Sequence, residues 1–161
     1  GMGQIGREVA RVATALGCEV RYTSTSGVAR REEYPALPLA ELLGWADVVS
    51  VHAPLNERTR GLIGERELRM MKPSALLINV ARGGIVDEAA LARALDEEVI
   101  AGAAIDVFTR EPIAADNPLL AVKDPDRLLL SPHNAWSPAE AIDALIGLVA
   151  ENITNFMEKN K

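Results

Sequence analysis

The sequence predicts an α/β domain built on a doubly wound parallel sheet. Two observations carry this reading. Short runs that are apolar throughout alternate along the chain with segments of helical periodicity, which is how strands read when helices cover both faces of a parallel sheet. Aromatic residues are only 4% of a chain that is 48% hydrophobic, so the core must be assembled from Val, Ile, Leu and Ala. Aliphatic strands packed on Ala-bearing helices use such a composition.

The elements follow in order. Ile5, Val9, Val12, Ala13 and Leu16 recur at helical spacing, with Gly17 placed as a stop. A strand is expected over 18–23. A polar, Arg-bearing loop then leads to Pro35 and Pro38 and a short helix over 39–45. Residues 47–51 read as a buried strand and 65–71 as a helical turn or two. Residues 75–80 form a continuous apolar strand. Asp87 N-caps a helix that reaches about residue 97. Further strands are expected over 99–107 and 127–130. In the last helix Ser137 is the N-cap, Pro138 takes the first position and Glu140 completes a capping box; the helix runs to about residue 159.

Composition also excludes several classes of function. The 161 residues are the size of one domain. Lys and Arg number 17 against 23 Asp and Glu, a net charge of −6 with no basic run. That argues against binding a phosphate backbone, so no nucleic-acid partner is expected. The single cysteine, Cys18, allows no intrachain disulfide and no Cys-rich metal site, and no metal is expected. No apolar run approaches the ~20 residues of a membrane span. The N-terminus lacks the charged and apolar regions of a signal peptide. The expectation is a cytoplasmic protein with no membrane partner.

Ligands of an open parallel sheet bind beyond the carboxyl ends of the strands. Four loops after apolar strands carry polar side chains there. His52 follows DVVSV and Arg82 follows ALLINVA. Asp106 and Glu111 lie at the end of GAAIDVF and just past it, and His133 follows LLLSP. Arg grips a carboxylate with two parallel hydrogen bonds. His gives or takes a proton near neutral pH. A Glu bonded to the imidazole fixes its tautomer and favours its protonated form. Together they suit reduction of a 2-keto acid, whose carbonyl oxygen needs a proton as its carbon takes a hydride. Gly1, Gly3 and Gly6 open the first helix as Gly-Met-Gly-Gln-Ile-Gly, a pattern that lets a backbone approach a pyrophosphate at a helix N-terminus. No strand precedes it here, and Ser24 stands about where an acidic residue is expected.

Five segments in this order resemble the nucleotide-binding domain of the D-2-hydroxyacid dehydrogenase family: GMGQIG, VSVHAPLNERTRGLI, LLINVARGGIVDEAAL, AAIDVFTREP and LLLSPHNAW. The resemblance covers nearly the whole chain. It implies a Rossmann-type fold and an NAD(P)-dependent oxidoreductase acting on a small 2-keto or D-2-hydroxy acid. It implies Arg82 on the substrate carboxylate and carbonyl, His133 as general acid/base, and Glu111 as its partner. Asp106 would bind the nicotinamide carboxamide, with Ala81 beside the cofactor. His52, Ala53, Pro54 and Thr59 would flank the adenosine half, and Gln4 and Ile5 would offer amides to the pyrophosphate. The HNAW form, with Trp136, is most similar to the glycerate dehydrogenase and hydroxypyruvate or glyoxylate reductase branch. The family also contains corepressors that use this domain as a cofactor-sensing scaffold, and an idle remnant of a longer gene is a further alternative.

Two departures stand out. Where the family usually has an Asp on the ribose hydroxyls of NAD, this chain has Ser24, Thr25 and Ser26, with Arg30 and Arg31 nearby. Losing that carboxylate makes NADP at least as good a fit as NAD. Members are also about twice as long, so the 161 residues read as the NAD(P)-binding domain without its first strand or the separate substrate domain. In the order 3-2-1-4-5-6 the first strand is central. Its neighbours would stand about 10 Å apart with unpaired edges. The expectation is that the sheet closes up or that a partner chain fills the gap, within a homo-oligomer.

Overall fold

The structure, a computed structural model, describes residues 1–26 and 33–159. In chain order its elements are α1 (Gln4–Ala15), α2 (Leu39–Trp45), β1 (Val48–Val51), α3 (Glu65–Leu68), β2 (Leu76–Asn79), α4 (Glu88–Asp96), β3 (Gly102–Ile105), β4 (Leu128–Leu130) and α5 (Ala139–Lys159). Short 3-10 turns at Pro118–Ala121 and Pro125–Arg127 precede β4.

The four strands are all parallel in the order β1-β2-β3-β4. Val49, Leu77, Ala103 and Leu128 lie in one row across the sheet, and Val51, Asn79, Ile105 and Leu130 in another. Side chains alternate along a strand, so both rows face the same way. That face packs on Leu42 and Leu43 of α2, Leu68 of α3, and Leu91 and Leu95 of α4 in one continuous core. Each fully buried leucine contributes about 1.5–3 kcal/mol. The cap expected at Asp87 is present: its carboxylate accepts from the Ala90 N–H (2.9 Å). Gly17 takes the left-handed conformation (φ +88°) that ends α1.

Three expectations are corrected. First, among the described residues helices pack the core on one face of the sheet. On the other, Val48 is 52%, Leu76 43% and Leu129 68% exposed. The reason is that α5 buries none of its residues and leaves Ile146 and Phe156 exposed, so it adds nothing to the cover. Second, 18–23 is not a strand. Among the described residues Tyr22 alone of this segment pairs, in a single parallel bridge to Ala36. The sheet does not close up either. Between this segment and β1 lies a cavity of about 650 Å³, lined by Ala10, Val20 and Tyr22 on one side and Val49 and Val51 on the other. A parallel strand is held by its ladder, and among the described residues none reaches across this gap. Third, α5 starts at Ala139, one residue later than expected. The Pro138 carbonyl accepts the first helical bond, from Ile142 (3.1 Å), and the Ser137 hydroxyl turns back to donate to the Asn134 carbonyl (2.7 Å).

Candidate active site

Because β2, β3 and β4 run parallel, the loops after them open on one edge of the sheet. Arg82, Asp106, Glu111 and His133 all sit on those loops.

His133 and Glu111 meet directly. Glu111 Oε2 lies 2.7 Å from His133 Nδ1, with both side chains about one-third exposed. The other Glu111 oxygen accepts from the Phe108 N–H (2.9 Å). The hydrogen bond to His133 first, and the Phe108 N–H second, hold the Glu111 carboxyl below the ordinary carboxylate range. With Nδ1 facing Glu111, Nε2 is the ring nitrogen left for a further partner.

Asp106 shapes the loop that presents His133. His133 has a left-handed backbone (φ 53°), which a non-glycine residue adopts at a cost. Asp106 is 3% exposed and accepts from three donors of that loop: the Ser131 hydroxyl (2.6 Å), the Asn134 N–H (3.0 Å) and the Ala135 N–H (3.0 Å). The Trp136 indole donates to the His133 carbonyl (2.6 Å) and closes the turn. Burial pushes the Asp106 carboxyl up, but the bonds from Ser131, Ala135 and Asn134 and the charge of His133 outweigh it, and its pKa is lowered. The chain thus commits both Asp106 oxygens to holding the His133 loop.

The Arg82 loop is held from the core. Asn79, 1% exposed at the end of β2, donates to the Arg82 carbonyl (3.1 Å) and accepts from the Ala81 N–H (3.1 Å). Sequence reasoning passed over Asn79, although a lone amide in the apolar run ALLINV is a signal, since a buried amide must find partners. The exposed Arg82 guanidinium donates to the Ala81 carbonyl (2.6 Å). Gly83 lies against the next loop so closely that a Cβ there would run into the Phe108 carbonyl.

The glycine loop suits a pyrophosphate. A Cβ at Gly6 would run into the Gly1 carbonyl, and one at Gly1 would come within 2.7 Å of the His52 carbonyl oxygen. Gly3 instead faces open space. The first N–H groups of α1, including those of Gln4 and Ile5, have no acceptor within the helix and can receive an anion. No side chain intrudes at Gly3, so these residues fit the phosphates of a dinucleotide.

The residues expected to flank the adenosine half divide. His52 bonds Ser50 Oγ through Nε2 (2.9 Å); burial, then the N-terminal charge, lower its pKa. Ala53 is buried and Pro54 exposed. Thr59 is fully buried, its hydroxyl donating to the Pro54 carbonyl (2.6 Å) and accepting from the Asn56 N–H (2.8 Å), so its side chain shapes the turn from within. Ser24 Oγ lies 3.2 Å from Ser26 Oγ. Arg58, which sequence reasoning did not single out, reaches across to donate to the Ser26 carbonyl (3.1 Å). Arg30 and Arg31 lie outside the described residues. Among the described residues no group of His, Cys, Asp and Glu could hold a metal ion, and no helix is long and apolar enough to cross a membrane. The large cavity beside β1 touches Gly1, Gly6 and His52 but none of Arg82, Glu111 and His133.

Residues 1–135 match the D-isomer specific 2-hydroxyacid dehydrogenase, NAD binding domain. The chain belongs to the D-2-hydroxyacid dehydrogenase family. It is 42% identical over 161 residues to a putative 2-hydroxyacid dehydrogenase of Haemophilus influenzae, a match over 99% of this chain and 50% of that one. It is 43% identical to a glyoxylate reductase of Korarchaeum cryptofilum, over 97% of this chain and 47% of the relative. An acyclic imino acid reductase solved with NADPH and D-Arg superposes with a TM-score of 0.89 at 33% identity, over 99% of this chain and 50% of that one. The chain spans about half the length of the curated relatives it matches. Its Rossmann-like sheet is the family's nucleotide-binding fold.

Proposed function

We propose that the chain is the NAD(P)-binding domain of an enzyme that reduces a small 2-keto acid, such as glyoxylate, to the 2-hydroxy acid, and oxidises it in reverse. The observation that carries this reading is the 2.7 Å His133–Glu111 bond, set on the same sheet edge as Arg82. When bound, NAD(P)H supplies the hydride that the carbonyl carbon takes. Arg82 grips the substrate carboxylate through paired N–H donors. His133, protonated, donates from Nε2 to the carbonyl oxygen, which becomes the hydroxyl. The neutral imidazole that remains keeps its Nδ1–H on Glu111, which holds the tautomer. In reverse, His133 takes the hydroxyl proton. Asp106 holds the His133 loop in place while its neighbourhood receives the nicotinamide end.

NADPH is proposed to serve at least as well as NADH. Ser24 removes the carboxylate that would repel a 2′-phosphate, and the Arg58 guanidinium is held on the same loop by its bond to the Ser26 carbonyl. The protein is further proposed to act as a homo-oligomer.

The test is a fluorescence titration of the purified protein with NADH and with NADPH, followed by glyoxylate addition. Saturable binding of both, with NADPH at least equal, and consumption of reduced cofactor on adding the keto acid are expected. Binding of NADH alone would contradict the reading of Ser24 and Arg58. Binding of neither would contradict the proposal.

A further inference from the structure

We infer that Glu88 is a positioning residue that locks the Arg82 loop and the Glu111–His133 pair into one arrangement. The inference rests on the roles proposed above for those three residues.

Glu88 is the first residue of α4, and the loop carrying Arg82 runs directly into it. Its half-buried carboxylate turns away from its own helix. Oε1 accepts from the Thr109 N–H (2.6 Å), and Oε2 accepts from the Asn117 side-chain amide (2.7 Å). Thr109 follows Phe108, whose N–H is held by Glu111 (2.9 Å), and Glu111 itself stands two residues further on. Asn117 is 8% exposed, and its Oδ1 accepts from the Leu119 N–H (3.0 Å). That bond orients the amide so that Nδ2 points at Glu88. One carboxylate therefore fastens both ends of the segment 109–117, the segment that carries Glu111. The start of that segment meets the Arg82 loop at Gly83, where a Cβ would come within 2.6 Å of the Thr109 nitrogen and run into the Phe108 carbonyl just before it. Two short bonds to an ionised acceptor are among the strong hydrogen bonds of proteins, and both join α4 to the next loop. Removing them frees Glu111, and with it His133 Nδ1, to shift relative to Arg82. A displacement of about 1 Å at a reacting centre costs up to roughly 100-fold in rate.

The chain has two histidines, so nitrogen NMR of the imidazoles reads His133 directly, with His52 as internal control. In Glu88→Ala, His133 Nδ1 is expected to move toward the position of an unbonded ring while His52 stays unchanged. With glyoxylate, kcat is expected to fall roughly 10- to 100-fold, with KM for the cofactor within about twofold. Glu88→Gln keeps one oxygen for the Thr109 N–H and should recover part of both signals. If Glu88→Ala does not fold, Glu88→Gln and Asn117→Ala, which each remove one bond, are read the same way. A folded variant with His133 Nδ1 unmoved and kcat within about twofold of the parent overturns the inference. A shifted His133 in a protein whose parent reduces no keto acid supports the coupling and overturns the proposed function instead.

Discussion

At the residue scale, the unusual investment is Asp106. A nearly buried carboxylate receives three donors from one loop, and that loop holds His133 with a left-handed backbone. Asp106→Asn would turn an amide N–H toward the Ala135 or Asn134 N–H, donor against donor. The expected cost is about 1–3 kcal/mol at neutral pH, measured by urea unfolding. The pH dependence has a definite sign. Burial pushes the Asp106 carboxyl up, but its loop hydrogen bonds and His133 bring the net pKa below its unfolded value. Its ionisation thus stabilises the fold fully above the ordinary carboxylate range near pH 4. That contribution is lost as pH falls through the lowered value. The gap between parent and Asp106→Asn should therefore narrow on acidification; a gap that widens would contradict the role. Residue types and order alone pointed to Asp106, Glu111 and His133. The part Asp106 plays for its neighbours did not show, because its donors lie 25 to 29 residues away along the chain.

At the element scale, the loops after β2 and β3 work as one piece. Gly83 is the contact between them. Gly83→Ala places a methyl against the Phe108 carbonyl, and overpacking of this kind costs typically about 1–3 kcal/mol. We expect a lower unfolding midpoint and, because the Arg82 and Glu111 loops are pushed apart, reduced turnover; a fully active, equally stable variant would show that the loops are independent. Periodicity and caps made α1, α2, α4 and the interior strands legible, since each has local signals such as Asp87 and Gly17. The segment 18–23 was misread for a physical reason. Its composition suits a strand, but a strand exists only where a neighbour supplies the ladder, and among the described residues Tyr22 finds only Ala36. Glu88 escaped notice because it follows an N-cap, where an acidic residue already has a sufficient explanation in the helix dipole.

At the scale of the whole molecule, one sheet face is packed and the other leaves Val48, Leu76 and Leu129 exposed, while α5 carries exposed apolar residues along its length. The core is concentrated under β1–β3 by α2, α3 and α4, and that rigid side carries the loops of the candidate site. The fold class was legible because apolar runs and helices alternate; the open face was not, because it depends on where α5 lies. The central claim is that this edge of the sheet delivers a proton to a keto acid through His133. The most direct measurement compares His133→Ala with the parent, reading keto-acid turnover and NAD(P)H affinity together. A fall in kcat of roughly 100-fold or more, with cofactor affinity within about threefold, is the expected result. Turnover unchanged in a variant that still binds the cofactor would contradict it.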